Sequence, residues 1–104
     1  MTKLENLIQE DAILPFQLDH SDIRGRVGRL NETLVSILSQ HSYPDIVETL
    51  VAEAVLITAL IGQTVNLKWK LSLQIRGNGS IKLIATDYFA PDKKNGSGKI
   101  RAFA

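Results

Sequence analysis

From Leu67 to Arg76 apolar and polar residues alternate. Leu67, Trp69, Leu71, Leu73 and Ile75 fall on one side, and Lys68, Lys70, Ser72, Gln74 and Arg76 on the other. A period of two predicts a half-buried strand. Ile81–Tyr88 predicts a second strand, less cleanly patterned. Upstream, AILPFQL and IRGRVGRL bracket the turn-like DHSD, which predicts strands at Ala12–Leu18 and Ile23–Leu30 joined by a short turn. Pro15 places the first of these at a sheet edge or interrupts it.

Between the two strand pairs the period lengthens. Leu34, Ile37, Leu38 and His41 share one stripe, predicting a short amphipathic helix over Glu32–Gln40. Asn31 is its candidate cap, and Glu32 sits near the positive end of the helix dipole. Pro44 turns Tyr43 away from helical angles and suits the start of a new helix. That helix is predicted over Pro44–Ile61, with Ile46, Val47, Leu50, Val51, Ala54 and Val55 as its buried stripe and Glu48 and Glu53 opposite. After Ala54 it is apolar nearly all round, through Leu56, Ile57, Leu60 and Ile61, so its own domain or a partner must cover it. Gly62 reads as its end signal. MTKLENLIQED has only a weak amphipathic pattern through Leu4, Leu7 and Ile8 and reads as an end that is frayed or docks against a partner. Ala90–Gly98 reads as a polar loop. Lys99–Ala104 opens another strand and runs to the last residue, so the native chain is expected to continue.

Composition narrows the classes. A chain of 104 residues is one domain. With 44% hydrophobic and 22% charged residues it is globular rather than disordered. A net charge of +1 predicts no polyanion partner by itself. The absence of cysteine excludes disulfides, thiol nucleophiles and cysteine zinc sites within these residues, and suits the cytoplasm. The N-terminus lacks a signal-peptide core, and the longest apolar run, near Ala54–Gly62, is far short of a membrane span.

Each candidate for chemistry has a structural explanation that outweighs it. Arg76-Gly77-Asn78-Gly79 precedes a strand and not the helix a phosphate loop requires, and its glycines and asparagine tolerate the positive φ of a tight hairpin. Gly25 and Gly28 lie in a strand pattern and mark a bulge or close packing. Lys68, Lys70 and Arg76 share a sheet face with Gln74, and Arg24 and Arg26 share one on their own strand. An RNA-binding sheet interleaves aromatics with such cations, whereas Trp69 alternates to the apolar side, so the face reads as solvated. Asp19, His20 and Asp22 could serve acid–base or metal chemistry but belong to a turn. His41 favours a helix C-terminus. No serine stands in a G-x-S-x-G elbow.

What remains is an excess of apolar surface, and the order of residues carrying it resembles a known family. DIRGRVGRL at Asp22–Leu30, LVSILSQHSYPDIVETLVAEAVLITALIG at Leu34–Gly62, LKWKLSLQIRGNGSIKLIATDY at Leu67–Tyr88 and KIRAFA at Lys99–Ala104 resemble the N-terminal substrate-binding domain of the heat-shock protein 33 family. These are the redox-regulated holdase chaperones also called 33 kDa chaperonin. The resemblance implies an α+β domain, with an N-terminal hairpin, two helices and a second hairpin, the helices packed on a mixed or antiparallel sheet. It also implies a cytoplasmic, ATP-independent chaperone, not an enzyme, that binds unfolded or partly folded clients and is a homodimer when active. In that family a C-terminal domain carries four cysteines that bind zinc when reduced. Oxidation releases the metal and exposes the client surface. Residues 1–104 then form the substrate-binding and dimerisation domain, with no cofactor of their own.

Apolar contact is worth about 25 cal/mol per Å² and is non-directional, which suits many clients. The candidates for client or dimer contact are Trp69, Leu71, Leu73, Leu56 and Leu60, each weighed against the plainer reading that it fills this domain's own core. The competing class is an RNA-binding module on Lys68, Lys70 and Arg76, which a steep loss of affinity with salt would reveal.

Overall fold

A computed structural model describes residues 11–65, 68–91 and 98–104. The expectations for Leu4, Leu7, Ile8 and Leu67, and for most of the Ala90–Gly98 loop, lie outside the described residues. The elements follow in the order β1 (Ala12–Leu18), β2 (Ile23–Arg29), α1 (Glu32–Leu38), α2 (Asp45–Thr64), β3 (Lys70–Arg76), β4 (Leu83–Phe89) and β5 (Lys99–Phe103). β1 and β2 form an antiparallel hairpin, and β3, β4 and β5 form an antiparallel sheet in that order. The fold is α+β.

The core lies between α2 and the three-stranded sheet. On the central strand β4, Ile84, Thr86 and Tyr88 are buried and their neighbours are half-buried, as period two requires of a strand covered on one face. Ile84 and Ala102 pack with Ile37, Val51, Ala54 and Val55. One polar pair crosses this layer: the buried Thr58 hydroxyl donates to the Ala54 carbonyl oxygen at 2.8 Å and meets the hydroxyl of Thr86. Both threonines are thereby satisfied, as buried polar groups must be.

Several expectations change. The buried face of α2 is Val51, Ala54, Val55, Thr58, Ala59 and Gly62. At 100° per residue this is turned roughly 60° from the predicted stripe, and Ile46 is 71% exposed. Small residues lie inward because they let the helix approach the sheet closely. Gly62 does not end α2, which continues to Thr64. A Cβ at Gly62 would stand 2.5 Å from the Tyr88 ring, so this glycine serves packing rather than termination.

Helix α1 ends at Leu38, not Gln40, where the backbone tightens into a Gln40 N–H to Ile37 carbonyl bond. His41 therefore leaves the predicted stripe and lies against Tyr43, ring centroids 5.3 Å apart. The Asn31 side chain makes no cap. Instead Asp11, from before β1, accepts the backbone N–H of Asn31, the backbone N–H of Thr33 at 2.8 Å, and the Thr33 hydroxyl. Burial opposes ionisation of Asp11, but these bonds outweigh it and hold its carboxyl below the usual range.

The Gly77-Asn78-Gly79 turn is wider than expected. It runs from Gly77 to Lys82 and closes with the Gly77 N–H donating to the Lys82 carbonyl at 3.1 Å. No described residue has a positive φ, because six residues reverse the chain without one. Gly25 and Gly28 make no bulge; the β1–β2 register is unbroken. They allow close packing, Gly25 beneath the Phe16 ring and Gly28 against Ile13, Leu56 and Leu60.

Candidate functional site

The alternation in β1 and β2 builds a face with no cover among the described residues. Leu14, Phe16 and Leu18 stand opposite Val27, Gly25 and Ile23 in register, so all six positions share one side. The five large apolar side chains among them are 43–58% exposed. The other side of the hairpin is anchored, because Ile13 and Gly28 meet Leu56 and Leu60 of α2. Beside this anchor an open groove runs between hairpin and helix, lined by Phe16, Arg24, Arg26, Leu60 and Thr64.

A second apolar strip follows the outer side of α2. Ile46, Leu50, Ile57 and Ile61 are exposed, with Glu53 interrupting them. Spacings of four, seven and four place them on one stripe. A helix that is apolar both inward and outward has more apolar surface than its own sheet covers.

The residues expected at the site divide. Trp69 is 68% exposed and precedes β3 rather than alternating within it. Its carbonyl oxygen accepts the Ala90 N–H at 2.8 Å, and the Lys70 ammonium lies 4.9 Å from its ring centroid. Leu71 and Leu73 are half-buried on the helix-facing side, in register with Tyr88 and Thr86. Leu56 and Leu60 are half-buried where they seat the hairpin. The exposed hairpin face was not singled out from the sequence, although L-x-F-x-L opposite I-x-x-x-V carried the signal. It takes the pairing register to bring those two half-patterns together.

The polar candidates do not converge. Asp19, His20 and Asp22 occupy the exposed β1–β2 turn. Among the described residues no group of three His, Cys, Asp or Glu side chains could hold a metal ion. A zinc thiolate site does not fit this chain, which has no cysteine. No described helix is long and apolar enough to cross a membrane. Of the basic residues, Lys68 is exposed, Lys70 is half-buried, and Arg76 bonds the Gln74 side-chain oxygen at 3.0 Å. Asp87 is held below the usual carboxylate range by hydrogen bonds from Ser72 and from Arg101, whose nitrogen lies 2.7 Å away. Burial pushes the Tyr88 phenol up; its oxygen accepts from the Gln63 amide at 2.8 Å.

The chain is 32% identical over 81 residues to a 33 kDa chaperonin of Caulobacter vibrioides, covering 78% of this chain and 27% of that protein. It is 37% identical over 74 residues to a 33 kDa chaperonin of Histophilus somni, covering 71% and 26%. With a 33 kDa chaperonin of Pseudoalteromonas translucida it shares 27% identity over 94 residues, 90% of this chain and 33% of the relative. The chain thus spans about a quarter to a third of the length of the curated relatives it matches. No solved structure matches it significantly. The model of the Hsp33 protein family matches residues 11–104, a span that takes in every described element, and the chain belongs to that family.

Proposed function

We propose that this chain is the client-binding and dimerisation part of an ATP-independent holdase chaperone. It acts by covering apolar segments of unfolding proteins, not by catalysis. The observation that carries the reading is the exposed hairpin face of Leu14, Phe16, Leu18, Ile23 and Val27 in a chain whose relatives are named chaperonins. Full burial of such a side chain is worth about 1.5–3 kcal/mol, so covering the half still open is worth about 1 kcal/mol each. Five together offset part of the cost of association, which explains binding that is broad and reversible. The outer strip of α2 and the exposed Trp69 are further apolar surface open to clients. We place the protein in the cytoplasm, with a homodimer as its active form. Redox control through zinc belongs, in this reading, to cysteines outside these 104 residues.

The test is aggregation of a thermally unfolding protein in the presence of the chain. Replacing both Leu14 and Val27 by serine removes two exposed side chains and leaves the Ile13–Gly28 anchor intact. At about 1 kcal/mol for each of the two side chains lost, protection is expected to need about thirtyfold more of the variant, with the circular dichroism spectrum unchanged. Full protection by a folded variant refutes the assignment of the face. Protection that collapses with salt points to charge rather than apolar capture.

A further inference from the structure

The side of the three-stranded sheet turned away from α2 has a different character. Because Ile84, Thr86, Tyr88 and Ala102 are the buried positions, alternation turns Asp87 and Phe89 of β4 and Lys99, Arg101 and Phe103 of β5 outward. Lys70 and Lys99 flank Phe89 in register. Phe103, beside Ala85, lies four positions further along and is 47% exposed. The two rings are therefore roughly 14 Å apart along the strands.

Each ring system at this end, the half-buried Phe89 and the exposed Trp69, has its own cation. The Arg101 guanidinium lies 5.4 Å from the Phe89 centroid and the Lys70 ammonium 4.9 Å from that of Trp69. The charge balance is one-sided. Lys70, Arg76, Lys99 and Arg101 face a single outward carboxylate, Asp87, which is already bound by Ser72 and Arg101. No other ion pair occurs among the described residues, so Lys70, Arg76 and Lys99 have no carboxylate partner there. A chain of net charge +1 thus concentrates cations on one aromatic face.

We propose that this outer sheet face binds single-stranded nucleic acid, with bases stacking on Phe89, Phe103 and Trp69 and phosphates meeting Lys70, Lys99 and Arg76. Exposed Phe103 and Trp69 and half-buried Phe89, interleaved with cations that lack a carboxylate partner among the described residues, match a strand that presents a base and a phosphate in every repeat. An acidic peptide would use the cations and leave the rings idle. Period-two reading alone misses the site, because it leaves Phe89 and Phe103 on strands whose register is unknown. The site lies on a different surface from the hairpin face, with Trp69 alone common to both readings.

Trp69 is the one tryptophan of the chain and its ring lies against the Lys70 ammonium, so its fluorescence reports on the Phe89 end of this face. The chain is titrated with a twelve-nucleotide oligouridylate at low salt. Saturable quenching is expected, with log affinity falling against log salt at a slope of about −2 for three phosphates met. Phe103→Ala is expected to weaken binding by about fivefold or more at unchanged circular dichroism. Should that variant not fold, Phe103→Leu keeps the bulk, removes the ring and is expected to give the same loss. Lys99→Glu is expected to flatten the salt slope by close to one phosphate. Absence of quenching overturns the proposal. So does equal response to inorganic polyphosphate with no effect of losing the Phe103 ring, which marks charge alone. Quenching by an unfolded acidic polypeptide but not by the oligonucleotide also overturns it.

Discussion

Replacing Gly62 by alanine sets two effects of opposite sign against each other. In a helix interior alanine is favoured over glycine by about 0.8–1 kcal/mol, so propensity alone predicts stabilisation. The packing predicts the reverse. The new methyl would stand 2.5 Å from Tyr88 Cδ1 and 2.7 Å from its Cγ, so the ring must retreat by about 1 Å to reach ordinary contact. Tyr88 has little room to do so. It is buried, Gly98 abuts its phenol end, and Gln63 holds its oxygen. Overpacking of this kind costs about 1–3 kcal/mol, and losing the Gln63 bond about 1 kcal/mol more. The sum exceeds the propensity gain, leaving Gly62→Ala destabilised by about 1–3 kcal/mol. For a domain of this size each kcal/mol moves the melting temperature by about 4–8 °C. Thermal and urea unfolding of both proteins measure it. A smaller residue at the ring should relieve the clash, so Tyr88→Leu combined with Gly62→Ala should cost less than the two singles added. A Gly62→Ala protein as stable as the parent, or additive with Tyr88→Leu, would show that the glycine is not a packing requirement.

Three further outcomes test the fold and site. Thr58→Val removes the acceptor of the buried Thr86 hydroxyl and should cost about 1–3 kcal/mol, whereas valine at both positions should recover most of it, read by urea denaturation. Asp11→Ala removes the cap of α1 and should cost about 1 kcal/mol at neutral pH. The lowered folded-state pKa of Asp11 makes its contribution complete above about pH 4 and lost as pH falls through the folded value, so parent and variant should converge in stability in acid. Trp69→Ala should alter stability by less than about 0.5 kcal/mol, because the side chain is mostly in solvent, while protection of an unfolding protein falls. A loss of several kcal/mol would instead place Trp69 in the core.

Local rules made much of the fold legible. Period two identified β3, apolar arms about the turn-like DHSD identified β1 and β2, the stripe in Leu34–Leu38 identified α1, and Pro44 marked the start of α2, because each signal lies within a few neighbouring residues. The all-round apolar character of α2 beyond Ala54 likewise announced surface in excess of what one sheet covers. The rotation of α2 was not legible, since several faces are apolar and only contact with the sheet selects the one lined by Ala54, Ala59 and Gly62. The Asp11 cap was hidden because its partners are 20 and 22 residues away. The two candidate surfaces depend on register. Leu14 meets Val27, and Phe89 comes between Lys70 and Lys99, only once strands distant along the chain are paired. The sequence by itself determined which segments are strands and helices and how much apolar surface they carry. Tertiary structure alone decided which of that surface is core and which is presented, because burial is a property of neighbours that the linear order does not name.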